Sequence, residues 1–102
     1  MRRAARTDGN HAEVVKALRA IGASVADTSG VGAGFPDLVV GYRGRNWLVE
    51  VKDGRKSPSR RALTPDQVEF VATWRGHWVK VESAQEAVDK VSARDLAQSE
   101  HG

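Results

Sequence analysis

Two short apolar runs, Leu38-Val39-Val40 and Trp47-Leu48-Val49, interrupt an otherwise mixed chain and read as buried strands. Arg43-Gly44 between them is a turn signal, so 37–42 and 46–52 are expected to form a hairpin. Upstream, Val14, Val15, Leu18 and Ile21 recur at helical spacing. They predict a first helix over 8–21, capped by Thr7 or Asp8 and ended by Gly22. Residues 24–28 are a weak strand candidate, followed by the loop Gly30-Val31-Gly32-Ala33-Gly34. Residues 54–63 read as a polar basic loop. Thr64-Pro65-Asp66 announces a second long helix, with Thr64 as cap and Pro65 at its first position, running to about Arg75. His77–Val81 reads as a strand, and Ser83-Ala84-Gln85-Glu86 as a capping box that opens a last helix. The order α, β, β, β, α, β, α predicts an α/β (α+β) fold.

Three charges stand where this pattern is most apolar: Asp37, Glu50 and Lys52. With the turn at Arg43-Gly44, Tyr42 faces Arg45, Val40 faces Trp47 and Asp37 faces Glu50. Facing residues share one side of a sheet, with Cβ atoms about 4.5–5.5 Å apart. Lys52, two residues beyond Glu50, lies on the same side. A slip of one residue would send Glu50 to the other face. Two opposed carboxylates in apolar surroundings destabilise a sheet unless a positive charge intervenes. Lys52 offsets one of them; a divalent cation offsets both, and hard oxygen ligands suit Mg²⁺ or Mn²⁺. The plainer account is a Pro-Asp turn beside an exposed Glu-x-Lys ion pair worth under about 1 kcal/mol.

Composition narrows the classes. A chain of 102 residues makes one domain, expected over 8–96 between flexible ends at 1–7 and 97–102. It contains no cysteine, which excludes disulfides, zinc thiolate sites and cysteine nucleophiles. His11, His77 and His101 are too scattered to suggest a metal cluster. No apolar run is long enough to span a membrane, and the basic start Met1-Arg2-Arg3 lacks a signal-peptide core, so a cytoplasmic location is expected. The net charge is only +3, but Arg43, Arg45, Lys52, Arg55, Lys56, Arg60 and Arg61 crowd the segment holding Glu50 and Asp53. A cationic rim around an acidic centre suits a polyanion, and a solubilising loop is the competing account. The glycine loop is neither a P-loop nor a dinucleotide fingerprint, since Phe35 and a strand follow it.

Pro36-Asp37, twelve intervening residues and Glu50-Val51-Lys52 resemble the signature of the PD-(D/E)XK nuclease superfamily. The glycine loop running into Pro-Asp, the Gly-turn hairpin and a Leu63-Thr64-x-x-Gln67 helix ending in Trp74-x-Gly76 narrow the likeness. The chain resembles the small VRR-NUC type found in phages and repair enzymes, related to Holliday-junction resolvases. That resemblance implies a restriction-endonuclease-like αβββαβ core, with a mixed central sheet flanked by helices. It implies Mg²⁺ or Mn²⁺, no organic cofactor, and cleavage of DNA, branched, flapped or duplex, inside a cell or by a phage- or prophage-encoded protein. On the matching positions, Asp37, Glu50 and the Val51 carbonyl become metal ligands and Lys52 the catalytic lysine. Glu13 resembles the extra acid offered by the first helix, and Gln67 the glutamine held near the metal. Related nucleases often place a tyrosine four residues after that glutamine; Val71 stands there instead.

Arg43, Arg45, Arg55, Lys56, Arg60 and Arg61 are the expected phosphate contacts, which position DNA without reading sequence. No recognition helix is evident, so selection by DNA shape and strong salt dependence are expected. Trp74 and Trp78 read as core residues, with base-stacking platforms as the competing account. The resemblance, together with the two symmetric strands that branched DNA offers to a small domain, favours a homodimer. The competing function is a non-catalytic nucleic-acid-binding module with the same fold.

Overall fold

The computed structural model describes residues 7–93, so most of both expected flexible ends, with residues 94–96 and His101, lies outside the described residues. The elements are α1 (His11–Ala20), β1 (Ser24–Asp27), β2 (Leu38–Tyr42), β3 (Arg45–Val51), α2 (Pro58–Arg61), α3 (Pro65–Thr73), β4 (Trp78–Val81) and α4 (Ala84–Ser92). The four strands form one sheet in the order β1-β2-β3-β4. β1/β2 and β2/β3 are antiparallel and β3/β4 is parallel, which makes the sheet mixed, as an α+β fold of this type requires.

The hairpin turns at Arg43 (φ 54°) and Gly44 (φ 79°), both left-handed, the geometry that matches the twist of the flanking strands. That turn fixes the register: Tyr42 pairs with Arg45, Val40 with Trp47 and Leu38 with Val49. Strand alternation then sorts the side chains. Leu38, Val40, Val49, Val51 and Val81 are buried and pack against Val14 and Leu18 of α1 and Ala87 and Val91 of α4. Each such side chain contributes about 1.5–3 kcal/mol of burial. The opposite face carries Leu48, Glu50, Trp78 and Lys80, and α2 and α3 close over it, with Lys80 Nζ donating to the Arg61 carbonyl at 3.2 Å.

Several boundaries differ from the sequence reading for local reasons. α1 starts at His11 because the Asn10 amide is spent on tertiary bonds, donating to the carbonyls of Lys52 (3.0 Å) and Glu82 (3.3 Å). The basic loop contains a short helix, α2, since Pro58 falls at its first position after an extended Ser57. In the last helix Ser83 Oγ accepts the Glu86 N–H, but Glu86 Oε1 takes the N–H of Glu82, so the box closes one residue early. α3 ends at Thr73, and Trp74 is 42% exposed, not core, because Gln67 and Phe70 occupy the inward side of this half-buried helix. Trp78 is half-buried. Among the described residues no helix is long and apolar enough to cross a membrane.

Candidate active site

Asp37 stands just before β2, where the ladder has stopped at Leu38–Val49. Its backbone carbonyl accepts the Thr28 N–H at 2.8 Å, continuing the β1 side. Its carboxylate reaches across the strand end, and Oδ2 accepts the Val51 N–H at 2.8 Å. Asp37 is therefore outside the strand expected to hold it, and its side chain replaces the missing ladder acceptor. The preceding loop is held by Thr28 Oγ1, which donates to the Pro36 carbonyl at 2.8 Å. Gly34 (φ 81°) lies against the start of α3, so close that a Cβ there would collide with the Asp66 carbonyl. The loop thus docks the start of α3 beside the Pro36-Asp37 step.

Glu50 lies on the same face and is 3% exposed. Gln67 Nε2 donates to its Oε2 at 2.9 Å, and Lys52 Nζ stands 3.8 Å from the same oxygen. Burial, and then the charge of Asp37 facing it, push the Glu50 carboxyl up to about 8, against the opposing pull of Lys52. Buried carboxylates short of compensation respond in this way, by holding a proton.

Lys52 is nearly as buried and donates to Gln67 Oε1 at 2.9 Å. That oxygen also accepts the Thr64 N–H at 2.9 Å, while Thr64 Oγ1 accepts the Gln67 N–H at 3.3 Å. Gln67 is the third residue of a capping box, and the box orients its amide. Two donors on one end and a carboxylate on the other leave that amide a single consistent orientation. Thr64-x-x-Gln67 was a readable signal for this double duty.

These groups open into a cleft of about 390 Å³, lined by Asp37, Glu50, Val51, Lys52 and Gln67 together with Thr7, Asp8, Lys56 and Arg60. Asp8 is the acid that the sequence reading assigned only to a helix cap; Lys56 Nζ stands 3.6 Å from its carboxylate. Because α1 begins at His11, Asp8 stays in the entering turn and faces the cleft.

Glu13 does not join them. With Val14 and Leu18 turned inward, its side chain is 64% exposed and faces Arg55 at 3.9 Å. It borders a separate depression with Asp53 and Glu82. The six expected phosphate contacts divide likewise. Lys56 and Arg60 line the cleft. Arg55 is bound by Asp53 through two bonds, of 2.9 and 3.0 Å. Arg61 holds Glu82 at 3.0 Å and the Lys56 carbonyl at 2.9 Å, so it braces the loop. Arg43, over the Tyr42 ring at 5.0 Å, and Arg45, bonded to the Ala93 carbonyl at 3.4 Å, lie at the hairpin tip. Six residues of strand separate that tip from Asp37, roughly 20 Å.

The donor set suits a hard divalent cation: two carboxylates on one face beside the Val51 backbone, with a repulsion that Lys52 offsets only in part. Among the described residues, no three His, Cys, Asp or Glu side chains converge as a ready-made ligand group.

No family model matches the chain, and no curated protein matches it. A solved structure described as a "VRR_NUC domain" is similar to it, with a TM-score of 0.58 and 28% identity over 80% of this chain and 94% of that one. Mixed sheet, flanking helices and this likeness agree: the chain is similar to a VRR-NUC domain and has a nuclease-like fold of the PD-(D/E)XK type.

Proposed function

We propose that the chain is a Mg²⁺- or Mn²⁺-dependent deoxyribonuclease that hydrolyses phosphodiester bonds, selective for branched or flapped DNA, with its nuclease domain over 8–96. The observation that carries this reading is the convergence of Asp37, Glu50 and Lys52 on one face, locked by Gln67 and open to a cleft that Lys56 and Arg60 also line. Nuclease folds of this type usually use divalent metals. Asp37, Glu50 and the Val51 carbonyl would hold the ion, which when bound supplies Lewis acidity at the phosphate and activates water.

The remaining work falls to the chain. The Val51 N–H fixes the Asp37 carboxylate. Gln67 holds Glu50 and Lys52 at a set separation. The Lys52 ammonium, already desolvated, faces the charge that builds on phosphorus in the transition state. Lys56 and Arg60 hold flanking phosphates. Asp8, in place of Glu13, is the acid contributed from the α1 side. Two matched subunits would cut paired strands of a junction, so the acting form we favour is a homodimer.

The test is cleavage of a four-way junction, a flap, a linear duplex and single strands with Mg²⁺, Mn²⁺ or chelator, alongside Asp37→Ala and Lys52→Ala. Metal-dependent cutting of the branched substrates, lost in both variants, is expected. Cleavage that survives both substitutions would remove the chemistry from this site, and binding without cleavage under either metal would leave a non-catalytic binding module.

A further inference from the structure

Three aromatic rings lead away from the cleft along α3. Phe35, two residues before Asp37, meets Phe70 edge-on with ring centroids 5.4 Å apart. Phe70 stacks on Trp74 at 5.3 Å and 18° between planes. Gly76 lies so close to the indole that a Cβ there would stand 3.0 Å from Nε1. Trp74 is thus braced on one face and along one edge, yet remains 42% exposed. The row starts beside Gln67, which touches Glu50 and Lys52. From Gln67 to Trp74 is seven residues, about 10 Å of helix rise. That is roughly three base rises at about 3.4 Å each.

A braced, part-exposed indole at the end of the helix that carries Gln67 has a definite use. Every base has a π-face, and stacking on an aromatic side chain is open to it once the base has left its own duplex. A paired, stacked duplex offers no such face. Cations suited to the phosphates of such a strand are Lys56 and Arg60 in the cleft, and Arg75 next to Trp74 in the chain. A second copy of the chain is the other occupant to weigh. Among the described residues the large exposed apolar side chains are Val31, Val68 and Trp74. Three such side chains fall short of the roughly 800 Å² per partner that a stable interface buries.

We infer that Trp74, supported by Phe70, is a stacking platform for an unpaired base within about three nucleotides of the phosphate held in the cleft. The inference rests on the nuclease reading and deepens it: it names as substrate DNA with a single-stranded arm at the cut. Trp74 is a specificity-determining residue here, remote from the bond that breaks.

The test is binding in chelator at fixed salt, with two DNAs of equal length: a forked duplex with one unpaired arm, and a blunt duplex. The arm carries 2-aminopurine at its first, second, third or fourth nucleotide. Trp74→Ala is expected to weaken fork binding about 5- to 150-fold, as loss of one stacked base does. Blunt-duplex binding is expected to stay within about twofold, since phosphate contacts carry it. Trp74→Phe should retain most of the fork affinity, which separates lost stacking from lost folding. Quenching of 2-aminopurine should peak at one of the first three positions and vanish in Trp74→Ala. Equal weakening on both DNAs, unchanged fork binding, or a wild-type dimer that Trp74→Ala converts to monomer would overturn the platform. Failure of the nuclease reading would look different: the wild type would cut nothing with Mg²⁺ or Mn²⁺, whatever Trp74 does to fork binding.

Discussion

Gln67 Nε2 donates to Glu50 Oε2 across 2.9 Å, and the other end of the same amide accepts from Lys52 Nζ at 2.9 Å. One side chain that also caps α3 therefore sets the spacing between an acid and a cation. Gln67→Ala should destabilise the fold by about 1–3 kcal/mol, through the lost cap and the unpaired buried groups. Cleavage should fall about 10- to 100-fold, as for other groups that orient ligands. Gln67→Glu keeps a capping-box residue but turns a carboxylate toward Glu50. At pH 8 neither stability to denaturant nor cleavage should then recover to wild type.

Asp8 and Glu13 make opposite predictions. Asp8 lines the cleft, and Glu13 faces Arg55 outside it. Asp8→Ala should reduce cleavage about 10-fold or more, within the range for groups supporting a metal site. Glu13→Ala should leave the rate within about twofold, because it breaks only an exposed ion pair of the kind worth about 0–1 kcal/mol. Initial rates on a flap substrate check both.

Stability of the metal-free protein should fall as pH rises from about 4.5 to about 8. In that window folded Glu50 keeps a proton that unfolded Glu50 has released, so the native state binds more protons and rising pH disfavours it. The contribution is fully present below the unfolded value and lost by the folded one. One such proton gives a slope of at most about 1.4 kcal/mol per pH unit. Glu50→Gln should flatten the profile measured by denaturant unfolding at pH 5, 6.5 and 8. Asp27 acts oppositely and lower: held at about 2, chiefly by bonds from Ser29, it adds stability lost only as pH falls below the ordinary carboxylate range.

Arg60 and Arg43 separate cleft from hairpin tip. Arg60→Ala should weaken binding to all DNA sequences alike and lower the slope of log affinity against log salt by roughly 0.9, the loss of one phosphate contact. Arg43→Ala should change neither, since its guanidinium sits over Tyr42 at the remote turn. Titrations at several salt concentrations decide it.

Local rules carried the sequence reading as far as they apply. The two-residue turn at Arg43-Gly44 fixed the hairpin register, and alternation then placed Glu50 and Lys52 on one face. Asp37 was put on the right face but in the wrong element, because the ladder ends one residue earlier and its side chain replaces a backbone acceptor. Asn10 spends its amide on Lys52 and Glu82, a long-range bond that no helical period announces, so the start of α1 and the exchange of Glu13 for Asp8 were illegible. The charge run likewise hid a division of labour: Arg55 and Arg61 look like Lys56 and Arg60 in sequence, but Asp53 and Glu82 hold the first two, whereas Lys56 and Arg60 line the cleft.

The claim beneath all of this is that Asp37 and Glu50 together take up a divalent ion. It is tested most directly by calorimetric titration of the DNA-free protein with Mn²⁺ at pH 7, in two buffers of different ionisation enthalpy. The wild type should bind Mn²⁺ and release close to one proton, since Glu50 holds one below about 8. Asp37→Asn and Glu50→Gln should show no binding over the same range. Uptake equal in all three proteins, or none in the wild type, would contradict the account.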